Sequence, residues 1–179
     1  MRLEKWAAIF ICLSLAGCYA TKVDVYNSAI SMDAAFLPMR CEQEKSSGKK
    51  TVFNLSKGPE WRDGENHTYI FANESKDETE TINTRIRPID GNLYVAEMSA
   101  KGNFAFMVIE VGDQGLTMVM PTDAQREALL ASKNVIVEKT FGGFQIDGKP
   151  KDIRSFLEGH ASIPLQKIGF CKKNILTAG

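Results

Sequence analysis

Closely spaced turn formers divide most of this chain into segments of strand length. Asp90-Gly91-Asn92 and Gly112-Asp113-Gln114-Gly115 are two such turns, and residues 103–111 between them carry apolar side chains on both alternating faces. A strand that is apolar on both faces is covered on both sides, so this segment predicts a central strand. The last apolar segment, residues 163–171, contains Pro164, which lacks a backbone donor and favours the edge of a sheet.

Two segments break the strand pattern and predict short helices. Thr122 and Gln125 have the spacing of a capping box, in which each side chain bonds the other residue's backbone amide, and a helix is expected over residues 123–132. Pro150 is a favoured first-turn residue, and a second helix is expected from there to Gly159. The expected fold class is therefore α+β: a mainly antiparallel, curled β-sheet with two short helices.

The first eighteen residues have the organisation of an export signal. Arg2 and Lys5 charge the tip, and residues 6–16 form an uncharged, mostly apolar run. Such a run suits a signal peptide and is shorter than the roughly 20 residues that a membrane-spanning helix needs. The small residue Gly17 then gives a peptidase access to the backbone just before Cys18.

Leu15-Ala16-Gly17-Cys18 resembles the lipobox of bacterial lipoproteins. The resemblance covers only the signal region, and it implies cleavage before Cys18 and attachment of diacylglycerol to the Cys18 sulfur. Two or three acyl chains on one cysteine give stable anchoring. Tyr19 stands where an aspartate commonly retains enterobacterial lipoproteins in the inner membrane, so the outer membrane is favoured. The alternative is an ordinary secretory signal in which Cys18 is incidental.

These features predict four parts. Residues 1–17 are the signal peptide, residues 18–38 the lipidated cysteine and a tether, residues 39–172 a single globular domain, and residues 173–179 a loose tail. What remains after cleavage is long enough for one domain with a core of its own.

The charge balance limits the partners of such a domain. Lys and Arg number 22, and Asp and Glu also number 22, so no basic excess points to nucleic acid. No later segment is long and apolar enough to span a membrane, so membrane contact is expected through the lipid alone. An envelope protein is the expected partner.

The four cysteines predict one disulfide. Cys12 leaves with the signal and Cys18 takes the lipid, which leaves Cys41 and Cys171. In an exported protein two remaining thiols most simply pair. The alternative is a pair of separately buried thiols.

Motifs for catalysis are missing from the sequence. It contains no Gly-x-Ser-x-Gly, no phosphate-binding glycine loop and no His-Glu-x-x-His. His67 and His160 stand apart from cysteines and carboxylates at ligand spacing, so both are expected to be structural or solvated, although either could serve as a general base. We predict no catalytic residue, metal site or cofactor, and the sequence leans against an enzyme.

Two weaker features bear on binding. Trp61 lies in a turn-rich segment and is either an exposed binding anchor or a lid on the core. Four methionines could line an adaptable apolar pocket or simply fill the core: Met98, Met107, Met118 and Met120. The expected role is a lipid-anchored envelope protein that binds a partner or serves as an accessory component. The alternatives are a small carrier or inhibitor of envelope hydrolases with a pocket, and an envelope enzyme without a recognisable motif.

Overall fold

The computed structural model describes residues 18–26, 38–44, 50–58, 67–73, 78–100, 103–140 and 143–173. The strands are β1 (Tyr19–Thr21), β2 (Met39–Glu44), β3 (Lys50–Lys57), β4 (His67–Asn73), β5 (Glu78–Asp90), β6 (Leu93–Ala100), β7 (Asn103–Gly112), β8 (Gly115–Met120), β9 (Val135–Thr140), β10 (Gly143–Gly148) and β11 (Gln166–Lys173). Two helices accompany them, α1 (Asp123–Leu130) and α2 (Pro150–Glu158), and a 3-10 turn, Gly159–Ser162, follows α2. The α+β class with a curled, mainly antiparallel sheet and two short helices is confirmed.

Eight of the strands form a sheet that closes on itself. Their order is β6-β5-β4-β3-β2-β11-β8-β7, and pairing of β6 with β7 completes the ring, with every neighbouring pair antiparallel. The interior of an eight-stranded closed sheet is just wide enough for side chains or one small ligand. Buried residues on alternate positions of these strands fill it, and we call them the inner core: Met39, Cys41, Phe53, Leu55, Ile86, Ala96, Met98, Ala105, Met107, Ile109, Leu116, Met118 and Cys171.

A second set of strands branches from β7. Residues 108–112 of β7 pair with β8, whereas residues 104–106 pair with β1. β10 runs parallel to β1 on its other side, and β9 pairs with β10. β1 and β8 therefore lie on the same side of β7, one beside each half of it. β1 joins the closed sheet to the β9–β10 hairpin.

The helices cover the outer face of this junction. Their apolar sides pack on β1, β7 and β10 and form a second cluster, the outer core: Tyr19, Val25, Tyr26, Val95, Phe106, Leu129, Phe144, Ile146, Ile153, Phe156 and Leu157. The predicted capping box of α1 is present, since Thr122 accepts from the Gln125 amide and Gln125 accepts from the Thr122 amide. Pro150 occupies the first turn of α2, also as predicted. No helix among the described residues is both long and apolar enough to cross a bilayer.

Part of the segment expected as a tether is paired in the sheet. Residues 18–26 were expected to belong to a tether, but β1 is hydrogen-bonded on both sides and its Tyr19 is 1% exposed. At the other end, β11 includes Lys173, the first residue of the expected tail. The remaining tail, residues 174–179, lies outside the described part.

The last strand was expected at an edge of the sheet, and this prediction is wrong. β11 begins at Gln166, after Pro164, and lies between β2 and β8 inside the ring. Pro164 therefore precedes the strand, and its missing N–H does not interrupt the backbone hydrogen bonds of β11. Among the described strands the order ends instead at β9, whose Ile136 is 65% exposed.

Candidate functional site

Cys41 and Cys171 form the predicted disulfide. The two residues face each other in the register of β2 and β11, and the sulfurs are 2.04 Å apart. Both are buried in the inner core, so the bond crosses one rung of the closed sheet. It ties a strand near the start of the folded chain to the last one.

Cys18 immediately precedes β1. It is 2% exposed, lies outside the disulfide and packs against the inner core. Its carbonyl accepts a hydrogen bond of 3.0 Å from the Phe144 amide, and β1 begins at the next residue. A lipid on the Cys18 sulfur would therefore require this side chain to leave the inner core, while β1 kept the domain directly beside the anchor.

The remaining sequence-predicted residues are dispersed. Trp61 lies outside the described residues, and His67 begins β4. Met98, Met107 and Met118 are buried together in the inner core, whereas Met120 packs against the outer core. Within the described chain, no three His, Cys, Asp or Glu side chains are grouped so as to hold a metal ion.

His160 is buried where the 3-10 turn meets β1. Nε2 lies 3.1 Å from the Tyr19 hydroxyl and Nδ1 lies 3.0 Å from the Phe156 carbonyl oxygen, so both ring nitrogens have partners. Burial lowers the pKa of His160 to about 4 against the opposing effect of hydrogen bonds at the backbone of Phe156 and Leu157. The ring is therefore a neutral structural group: Nδ1–H donates to the carbonyl and Nε2 accepts from Tyr19.

Close to His160, an arginine of α1 stacks on an aromatic ring of β10. The Arg126 guanidinium lies 3.7 Å from the centre of the Phe144 ring, and Arg126 forms an ion pair with Asp123 one turn earlier. That guanidinium, through its hydrogen bond and its charge, lowers the pKa of the Asp123 carboxyl. Arg126 is only 4% exposed, so its cation–π contact is largely desolvated, which is the setting in which such contacts are strongest.

A buried carboxylate lies under the segment that follows β1. Glu97 of β6 is 1% exposed, and Arg85 of β5 is 3.3 Å from its Oε1. The same Arg85 nitrogen donates to Asp24 at 2.9 Å and to the Tyr26 carbonyl. Burial raises the pKa of Glu97 to about 7, although the Arg85 charge and backbone hydrogen bonds from Val25 and Tyr26 act in the opposite direction.

Helix α2 contributes the other side of this arrangement. Arg154 donates to the Val25 carbonyl at 2.6 Å. The guanidiniums of Arg87 and Arg154 each lie 5.3 Å from the centre of the Tyr26 ring. Burial, assisted by the Glu158 charge, raises the pKa of Tyr26 above its ordinary range, so the phenol is not ionised at neutral pH.

This charged cluster was not predicted from the sequence. Val95 and Glu97 are two residues apart in β6 and therefore lie on the same face of the strand. This spacing is the only sign in the sequence that Glu97 would be buried. A carboxylate on a face that otherwise points into an apolar layer needs a charged or hydrogen-bonding partner. Here the partner comes from β5, and from a segment more than seventy residues earlier in the chain.

A surface groove of about 300 Å³ lies beside the 3-10 turn. The carboxylates of Asp90 and Glu110 stand at its rim, and Asn92 donates to Glu110 at 2.9 Å. The remaining lining is mostly apolar: Leu93, Val119, Ala161, Ile163 and Leu165, with His160 also contributing. Most of the surface that the groove exposes is nevertheless polar, and no described basic side chain forms an ion pair with either carboxylate.

Comparison of the chain with protein-family models, with curated proteins and with solved structures found no match.

Proposed function

We propose that the protein is a lipid-anchored component of a bacterial cell envelope that acts by binding a partner. The lipobox that ends at Cys18, followed at once by β1, is the observation that carries the proposal. The Cys41–Cys171 disulfide supports export, because such bonds persist in oxidising compartments. With β1 next to the anchor, the domain would lie against the bilayer, and Tyr19 favours the outer membrane over the inner.

The anchor is tested by labelling cells with a clickable fatty acid. Cys18→Ala removes the thiol that carries the diacylglycerol, so we expect this variant to lose the label and to leave the membrane fraction. Cys12→Ala is the matched control, because that cysteine lies in the signal and should leave labelling intact. Equal labelling of Cys18→Ala and the unaltered protein would refute the anchor.

The groove beside the 3-10 turn is where we place partner binding. Concave surfaces on which a few polar groups converge are usual sites of ligand contact. The acidic rim suits a partner that presents a basic group. His160, with both ring nitrogens engaged, forms part of the support of this surface rather than a proton-transfer group.

The binding role is tested by complementation of a deletion strain. Ala161→Arg fills the groove with a bulky side chain at an exposed position. Asp113→Arg, in the exposed β7–β8 turn and outside the groove lining, adds the same side chain as a control. We expect only Ala161→Arg to fail while both proteins accumulate at normal levels. Full complementation by Ala161→Arg would exclude the groove.

A further inference from the structure

The segment that leaves β1 is held to the outer face by charged side chains and by the burial of Val25 and Tyr26. Residues 23–26 have no regular secondary structure, and we call them the strap. Asp24 and the Tyr26 carbonyl both bind Arg85, and the Val25 carbonyl binds Arg154. The Tyr26 ring also packs edge-on against Phe106, with centroids 6.1 Å apart. The strap therefore covers part of the outer core without strand pairing of its own.

Glu97 is the group that the strap keeps from water. Hydrogen bonds from the backbone of Val25 and Tyr26 reach its carboxylate, and its Oε2 has no hydrogen-bond partner among the described groups. A buried carboxylate is costly when ionised, and one with an unsatisfied oxygen more so. The other charged groups facing this site come from three elements: Arg85 and Arg87 from β5, Asp24 from the strap, and Arg154 and Glu158 from α2.

We propose that the strap is a proton-sensitive clamp, which closes over the outer core when Glu97 takes up a proton and loosens when Glu97 loses it. Closing removes Glu97 from water and so favours its neutral form. Opening returns the carboxylate to solvent, where it ionises at ordinary acidity. Loosening would uncover the outer face around Phe106. The clamp does not depend on the lipid anchor.

The direction and range of the response follow from linkage. The pKa of Glu97 is about 7 with the strap closed, against an ordinary value of 4.5. The closed form therefore binds a proton more tightly, and closure is strongest below pH 4.5 and weakens as the pH rises to 7. Between pH 5 and pH 8 the closing equilibrium should change by more than about tenfold.

Thiol labelling of the full-length protein tests the clamp. Val25→Cys reports strap opening, and Val108→Cys, equally buried in β7, reports opening of the whole fold. The ratio of the Val25→Cys labelling rate in the folded protein to the rate of the same protein in urea at the same pH, resolved by peptide mass without reductant, cancels the effect of pH on the thiol, and slower labelling of Val108→Cys shows that the opening is local. We expect this ratio to be more than about tenfold higher at pH 8 than at pH 5.

Two further substitutions identify the responsible group. Glu97→Gln should keep the strap closed and make the ratio independent of pH. Asp24→Asn should weaken closure through its lost contact with Arg85 and, because the Asp24 charge helps to raise the pKa of Glu97, should reduce the pH dependence without abolishing it. The clamp is wrong if the ratio is constant while Glu97 is intact, if Glu97→Gln retains the dependence, or if the two cysteines label equally throughout. Should the cysteine variants fail to fold, hydrogen exchange of residues 23–26, divided by the intrinsic exchange rate at each pH, in the unaltered protein and in the Glu97→Gln variant, tests the same pH dependence.

Discussion

Glu97 and His160 are both buried, but they change the stability of the fold with pH in opposite directions. The pKa of His160 is lowered to about 4 from 6.5, so the unfolded chain takes up a proton first and stability is lost as the pH falls from 6.5 to 4. The pKa of Glu97 is raised to about 7 from 4.5, so the folded state takes up the proton first. Its contribution is fully present below pH 4.5 and is lost as the pH rises through 7. The two effects oppose each other between pH 4.5 and 6.5.

Glu97→Gln should expose the effect of His160. We expect the free energy of unfolding of this variant to fall by up to about 1.4 kcal/mol per pH unit between pH 6 and pH 4.5, more steeply than that of the unaltered protein. Urea unfolding at several pH values measures the slope. Glu110→Gln, at an exposed position in the groove, is the control and should retain the original profile. Parallel profiles for Glu97→Gln and the unaltered protein would contradict the assignment.

Among the elements, α1 and α2 were predictable because their signals are local. A capping box or a proline in the first turn acts within a few residues of the helix it begins. β7 was equally clear, since apolar side chains on both of its faces require cover on both sides. β1 has no such pattern: Tyr19, Ala20 and Thr21 become a strand because β7 and β10 supply partners on either side. Its structure comes from distant residues, which local sequence patterns do not reveal.

The cap of α1 gives a prediction at this scale. Thr122→Ala removes the acceptor for the Gln125 amide and should lower the free energy of unfolding by about 1 kcal/mol. Glu127→Ala, at an exposed position in the same helix, should change it by less than about 0.5 kcal/mol. Chemical denaturation of the two variants makes the comparison. Equal effects would show that the helix does not depend on its cap.

At the scale of the whole molecule, the sequence indicated antiparallel strands but not the closure of the sheet. Ring closure depends on the pairing of β11 with β2 and β8, and β11 follows β8 only after both helices and the β9–β10 hairpin. No local sequence pattern indicates that β11 pairs with β2 and β8. Proline at position 164 even suggested an edge, because the strand was expected to start at residue 163 rather than at Gln166. The charged cluster under the strap was missed for the same reason, since its members come from β5, β6, α2 and the chain ahead of β2.

The disulfide joins β2 to β11, the strand whose pairing closes the sheet, so its removal tests how far closure depends on the bond. Cys41 and Cys171 are 130 residues apart, and in the chain-entropy model a loop of that length stabilises the fold by about 5 kcal/mol. Double substitution with alanine should therefore lower the free energy of unfolding by about that amount while the strands remain paired, since β2 and β11 also share a ladder of backbone hydrogen bonds. Denaturant unfolding gives the loss, and circular dichroism checks that the sheet persists. Intact mass after alkylation, with and without reductant, confirms that the starting protein carries the bond. A double variant as stable as the oxidised protein would mean that the unfolded chain is already restricted, and that β11 is held in the ring by strand pairing alone.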